Sequence, residues 1–222
     1  MTLGNDIRIV TTQTQTNNED WPNLAYYQNK NKSLGSPIEN EKRIVFMGDS
    51  ITEEWSNLYP SFFSNRRYIN RGIGGQTTPQ ILLRFKPDTI DLHPHIIVIL
   101  AGINDVAGNT GPSTVKMITD NIFSMAELSM NKDVKIILSS ILPANAFPRN
   151  DAIENVSSTI ISINSLMKDY ALSNGIVYLD YYSSMVDENE GLNSDYTEDG
   201  IHPNKEGYKV MSGLAEKTIS QI

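Results

Sequence analysis

Cysteine is absent from the 222 residues, and histidine occurs only three times. Without cysteine there can be no disulfide, no thiolate nucleophile and no Cys-ligated zinc. Compartment is left open by the same fact, since exported proteins also do without cysteine. No apolar run approaches the roughly 18 residues that span a bilayer, so no membrane-spanning segment is expected. The N-terminal residues lack a basic stretch followed by an apolar one, so no secretion signal is visible, and the chain reads as soluble, cytoplasmic or exported. No basic cluster offsets the net charge of −8. That balance disfavours a nucleic-acid partner, whose phosphates it would repel, and favours neutral or weakly charged ligands. No internal repeat is present.

What remains is ordinary for a globular protein: 39% hydrophobic and 20% charged residues, in a chain long enough for one sizeable core. Residues 1–19 are polar, with Thr11–Asn18 close to low complexity, and read as a loosely docked arm. Trp21, Leu24 and Tyr27 follow at helical spacing and suggest a short amphipathic helix. Beyond them, apolar runs ending near Gly48, Gly72, Ala101, Ser139 and Asp180 read as strands. Amphipathic helices are expected between them, over about 51–64, through Ile81–Phe85, about 113–130 and about 152–173, with a closing helix carrying Tyr208, Met211 and Leu214. Strands alternating with helices imply βαβ units. The expectation is a flavodoxin-like three-layer α/β/α sandwich with a five-stranded parallel sheet, its strand order left open.

The stretch from Arg43 to Ile51 organises the rest. A buried strand ends in Gly48-Asp49-Ser50, and helical character begins at Ile51. Gly48 suits a tight turn there. Ser50 then stands where a parallel strand hands over to a helix, on the edge where open α/β sheets bind ligands. Two readings compete for it. Ser50-Ile-Thr-Glu53 fits the S-x-x-E capping box, in which the serine merely satisfies a backbone N–H. Alternatively the hydroxyl is a nucleophile beside a helix N-terminus that favours developing negative charge.

Other segments bear on the choice. Gly74 and Gly75 follow the second strand, and tandem glycines leave backbone N–H groups unshielded. Asn104 follows the third strand; a carboxamide donor aimed at an oxyanion is typically worth ~3 kcal/mol in the transition state. A serine nucleophile needs a base. His93 and His95 precede the third strand, at the wrong edge of the sheet. His202 precedes the last helix and can reach the active edge, with Asp199 spaced to fold back onto its imidazole. In isolation, Asp199-Gly200 could be a plain turn and His202 an unremarkable helix flank.

Together these segments carry a resemblance. Gly48-Asp-Ser50, Gly72-Ile-Gly-Gly75, Gly102-Ile-Asn-Asp105 and Asp199-Gly-Ile-His202 resemble, in order, the blocks of the SGNH hydrolases, also called GDSL esterases or lipases, over about residues 41–212. The nearest subgroup is the platelet-activating-factor-acetylhydrolase-like one, with bacterial acylhydrolases and carbohydrate esterases. The resemblance implies a single SGNH-hydrolase-like domain over 20–222. It implies Ser50 as nucleophile, His202 as base and Asp199 as its orienting acid. The oxyanion hole would comprise the Ser50 and Gly75 amides and Asn104, Gly75 being preferred to Gly74 because it precedes the polar Gln76. Ile103 stands where relatives often carry threonine. A G-x-S-x-G elbow of α/β-hydrolase type is excluded, since Thr52 occupies the second glycine position.

The function expected is a serine esterase cleaving short-chain esters, acetyl foremost, on small molecules or carbohydrates, through an acyl-enzyme, with no cofactor and no metal. Asp49, Phe147 and Arg149 are candidate substrate contacts. Alternatives are a lysophospholipase or thioesterase of the same superfamily, or a non-catalytic carbohydrate-binding protein on the same fold. A metal-dependent phosphoesterase using Asp49, Asn104, Asp105 and His202 is disfavoured, because only one histidine is usable. Oligomeric state is not legible.

Overall fold

The computed structural model describes residues 20–39, 41–65, 67–148, 150 and 152–222; the arm expected over 1–19 lies outside them. In chain order the elements are α1 (Gln28–Leu34), β1 (Ile44–Gly48), α2 (Ser50–Leu58), α3 (Pro60–Phe63), β2 (Tyr68–Gly72), α4 (Thr78–Asp88) and β3 (Ile96–Leu100). Then follow α5 (Ile103–Val106), α6 (Val115–Met130), β4 (Lys135–Ser139), α7 (Val156–Ser173), β5 (Val177–Leu179), α8 (Tyr182–Met185) and α9 (Lys205–Ile219). The five strands form one parallel sheet in the order β2-β1-β3-β4-β5. This is the flavodoxin-like three-layer sandwich expected from the alternation of elements. Among the described residues no helix is long and apolar enough to cross a membrane.

Every residue of β1 and β3 is buried, which is why both read as unbroken apolar runs rather than alternating ones. The chain order reverses direction beside β1, with β2 on one flank and β3 on the other. Such a switch point leaves a crevice at the C-terminal strand ends. Gly48 pairs with both Gly72 and Leu100 in register, so the segments leaving β1, β2 and β3 emerge side by side.

Gly48 turns out to be needed for space rather than for backbone freedom. A Cβ there would run into the Thr52 side chain and the Leu100 carbonyl. Its absence lets the first turn of α2 close down over the end of β1.

Helix α2 is pinned from the other side by α9. Trp55 is buried in an aromatic nest, stacked on Phe62 at 4.6 Å and on Tyr208 at 5.7 Å between centroids. Its indole N–H donates to Ser212 Oγ at 3.1 Å, and the Tyr208 hydroxyl donates to the Ile51 carbonyl at 2.8 Å. These bonds join the start of α2 to the first turns of α9, two elements about 150 residues apart in sequence.

Three element boundaries differ from expectation, each for a local reason. The helix expected over 51–64 breaks at Tyr59, and Pro60 opens a separate short turn of helix. The helix expected from 152 begins at Val156, after Asn155 in the left-handed region at φ 58°. The helix expected on Trp21, Leu24 and Tyr27 is a series of turns, and helix begins only at Gln28. There Asp20 accepts the Leu24 and Ala25 N–H groups at 2.7 and 2.8 Å, offering the backbone an alternative to helix.

Candidate active site

Ser50 is not the N-cap. Asp49 holds that position, its Oδ1 accepting the Ile51 N–H at 3.0 Å, and Ser50 is the first residue of α2. Glu53 does not fold back to complete a capping box either. Its Oε2 accepts the Gly74 N–H at 2.7 Å and its Oε1 the Tyr26 hydroxyl at 2.6 Å. The capping alternative for Ser50 is therefore overturned, and its hydroxyl is free to bond elsewhere.

It bonds to His202. Ser50 Oγ lies 3.0 Å from His202 Nε2, and His202 Nδ1 lies 2.8 Å from Asp199 Oδ2. The loop that brings the imidazole there is folded on itself. Asp199 Oδ1 accepts the backbone N–H groups of Ile201 and His202 at 2.9 and 2.8 Å, and Thr197 Oγ1 donates to the His202 carbonyl at 2.8 Å. Burial on its own would raise the Asp199 carboxyl. The backbone and ring N–H groups of His202 and the Ile201 N–H outweigh it, and hold the group down at about 2. A carboxylate that stays ionised at any working pH can fix the imidazole tautomer and face an imidazolium. His93 and His95 sit before β3, at the opposite end of the strand from Asn104.

The glycine turn and the Asn104 loop meet beside Ser50. Gly75 has φ 75° and is exposed, and no acceptor for its N–H exists among the described residues. Gly74, by contrast, has given its N–H to Glu53. Asn104 Nδ2 donates to the Gln76 carbonyl at 3.0 Å, leaving its second N–H uncommitted. Asn109 Nδ2 donates both to Asn104 Oδ1 and to the Gly75 carbonyl, each at 3.0 Å.

The remaining candidates are placed differently. Asp49 is buried, and its Oδ2 has no partner among the described residues; burial pushes the carboxyl up to about 7, against the Ile51 N–H bond and the nearby His202. Asp105 is buried beneath α4, with both oxygens bonded to Thr78, at 2.8 Å to its N–H and 2.6 Å to its hydroxyl. Phe147 is buried and belongs to the hydrophobic core, which leaves little of its ring to a ligand. Arg149 lies outside the described residues. Among the described residues no group of three or more His, Asp or Glu side chains is arranged to hold a metal ion. A cavity of about 580 Å³ opens beside Asp199 and His202, lined also by Leu58, Glu198, Pro203, Asn204, Lys205 and Glu206.

A family model for the GDSL-like lipase/acylhydrolase family matches residues 46–210, which contain every one of these groups except Tyr26. The chain belongs to this family. Among proteins of known structure, a candidate acylhydrolase from Bacteroides fragilis is 48% identical, covering 91% of this chain and 98% of its own, with a TM-score of 0.90. A GDSL-like lipase from Bacteroides thetaiotaomicron is 45% identical over 91% of this chain and 99% of its own, with a TM-score of 0.89. Platelet-activating factor acetylhydrolase IB subunit alpha1 of Rattus norvegicus is 24% identical over 115 residues, 50% of this chain and 47% of that protein. The chain spans about half the length, or less, of the curated relatives it matches.

Within this GDSL-like framework, the bonding roles of Glu53 and Asn109 are not read from the sequence, where the Gly108-Asn109-Thr110 loop hints only at polar recognition. Glu53 was visible only as half of a capping box. Asn109 follows Asn104 by five residues in a loop bounded by Gly108 and Gly111, where a short amide can turn back on the preceding segment. That spacing was the available signal.

Proposed function

We propose that this GDSL-family protein is a carboxylic ester hydrolase, a serine esterase that removes short acyl groups, acetyl foremost, from small or carbohydrate alcohols. One observation carries the reading: an unbroken bonded chain from Ser50 Oγ through the His202 ring to Asp199, at 3.0 and 2.8 Å. His202 Nε2 takes the Ser50 proton as Oγ attacks the ester carbonyl, then returns it to the leaving alcohol. Water, deprotonated by the same ring, releases the acid from Ser50. The oxyanion of each tetrahedral intermediate is held by the Ser50 and Gly75 N–H groups and by Asn104 Nδ2. Gly75 is assigned in preference to Gly74 because the Gly74 N–H is already spent on Glu53.

Three carboxylates against one lysine in the cavity beside His202 (Glu198, Asp199 and Glu206 with Lys205) suit an uncharged alcohol better than an anionic one, and the acetylhydrolase among the relatives accords with a short acyl group. A metal-dependent phosphoesterase is less well supported. Asp105 has both oxygens engaged by Thr78, and Asp49 is buried under α2.

The test is Ser50→Ala assayed on p-nitrophenyl acetate. Hydrolysis is expected to fall by about a thousandfold or more, with an unchanged melting temperature. Activity retained in Ser50→Ala would discard the assignment.

A further inference from the structure

We infer that Asn109 is a positioning residue for the reaction, setting both non-nucleophile donors of the oxyanion site from one exposed side chain. The inference rests on the serine-esterase reading given above. Asn109 is hydrogen-bonded to neither Ser50 nor His202. Its two amide hydrogens instead meet the two segments that would hold the oxyanion: one bonds the Gly75 carbonyl and the other Asn104 Oδ1, both at 3.0 Å. A side-chain amide has only two donors, so both are committed. The backbone closes the same loop, with Asn109 N–H donating to the Asn104 carbonyl at 3.0 Å and Thr110 Oγ1 lying 3.0 Å from Thr77 Oγ1.

The consequence for Asn104 is chemical. Its two amide ends are nearly the same shape and opposite in polarity. Turned the right way, Nδ2 faces an oxyanion and stabilises it; turned over, Oδ1 faces it and repels it. Asn109 holds the oxygen end while the Gln76 carbonyl holds the nitrogen end. Each bond is a penalty against the inverted amide, since inversion would set Asn109 Nδ2 against a donor and the Gln76 carbonyl against an acceptor. Removing Asn109 leaves one restraint of two.

For Gly75 the effect is on the turn. Its φ of 75° is a conformation that glycine shares among several basins, so glycine alone does not choose it. Anchoring its carbonyl to Asn109 on one side, while Glu53 takes the Gly74 N–H on the other, restricts the orientation of the amide between them. Preorganisation of this kind acts on the transition state and little on substrate binding.

The side chain is exposed, so Asn109→Ala is expected to fold; Asn109→Asp, of the same size, keeps the bulk but removes the donors and adds repulsion toward Asn104 Oδ1. Both would be assayed on p-nitrophenyl acetate beside Asn104→Ala and the double variant Asn104→Ala/Asn109→Ala. A short alkyl boronic acid, which adds to a serine hydroxyl as a tetrahedral anion, would be titrated in parallel. Expected for Asn109→Ala is a loss in kcat of about tenfold to a hundredfold with KM within twofold. The boronate Kd should weaken by a similar factor, Asn109→Asp should be at least as impaired, and the double variant should fall well short of the product of the two single losses. A purely structural contact would instead lower the melting temperature and move neither the kcat to KM split nor the boronate affinity. Wild-type kcat in both Asn109 variants, with Asn104→Ala impaired, overturns this inference and leaves the esterase reading standing. Full activity in Asn104→Ala overturns both.

Discussion

Asp49 shows how one residue's environment sets its chemistry. A carboxyl next to Ser50 is an obvious candidate for substrate contact, yet it is buried with one oxygen unpartnered among the described residues, and burial pushes it up to about 7. In the unfolded chain an aspartate titrates near ~4. Between those values the native state binds the extra proton, so stability falls as pH rises through the interval and levels off above it. The total change is on the order of 4 kcal/mol at most. Asn at position 49 can still cap α2 but cannot ionise. Asp49→Asn is therefore expected to flatten the decline, so that urea midpoints of wild type and variant diverge between about pH 4 and pH 7, the variant being the more stable at the upper end. Parallel profiles would contradict this. At this scale the sequence was informative wherever a residue type was scarce. Three histidines, two of them ahead of β3, left His202; two adjacent glycines left Gly74 or Gly75. It was uninformative wherever a role depended on which loop lies opposite. Asp105 caps α4 through Thr78, and Glu53 serves the glycine turn rather than its own helix. Both follow from contacts between segments 21 or more residues apart.

The packing of α9 on α2 does for the elements what the Asp199 turn does for the imidazole. Tyr208 bonds the Ile51 carbonyl one residue after Ser50, and Trp55 stacks on Tyr208 while bonding Ser212. Trp55→Ala removes a fully buried indole and should cost about 3–5 kcal/mol in urea unfolding. Tyr208→Phe should cost about 1 kcal/mol by removing the bond from its hydroxyl to the Ile51 carbonyl, which keeps its partner within α2. A loss below about 0.5 kcal/mol for Trp55→Ala would show that the two helices are not held by this nest. The apolar stripe of α9 was readable from its period, but its partner was not, since periodicity gives a face and not what the face meets. Helix ends were lost for a related reason. Pro60 was in plain view but lay inside an otherwise helical pattern, and Asp20 acts through a side chain that no hydrophobic period records.

For the whole molecule, alternating strands and helices identified the class, and the strand order 2-1-3-4-5 was not legible, because parallel partners are chosen by long crossovers. That order matters to function. With β1 between β2 and β3, the segments carrying Ser50, Gly75 and Asn104 leave the sheet side by side, and α9 returns His202 to them from 152 residues away. On the proposed reading, this convergence makes one serine nucleophilic. Labelling with an alkyl fluorophosphonate reads that property directly, since an activated serine oxygen displaces fluoride and stays bound to phosphorus. Peptide mass mapping is expected to find a single adduct on Ser50, lost in His202→Ala. An adduct elsewhere, or equal labelling of Ser50 without the imidazole, would show that His202 does not activate Ser50.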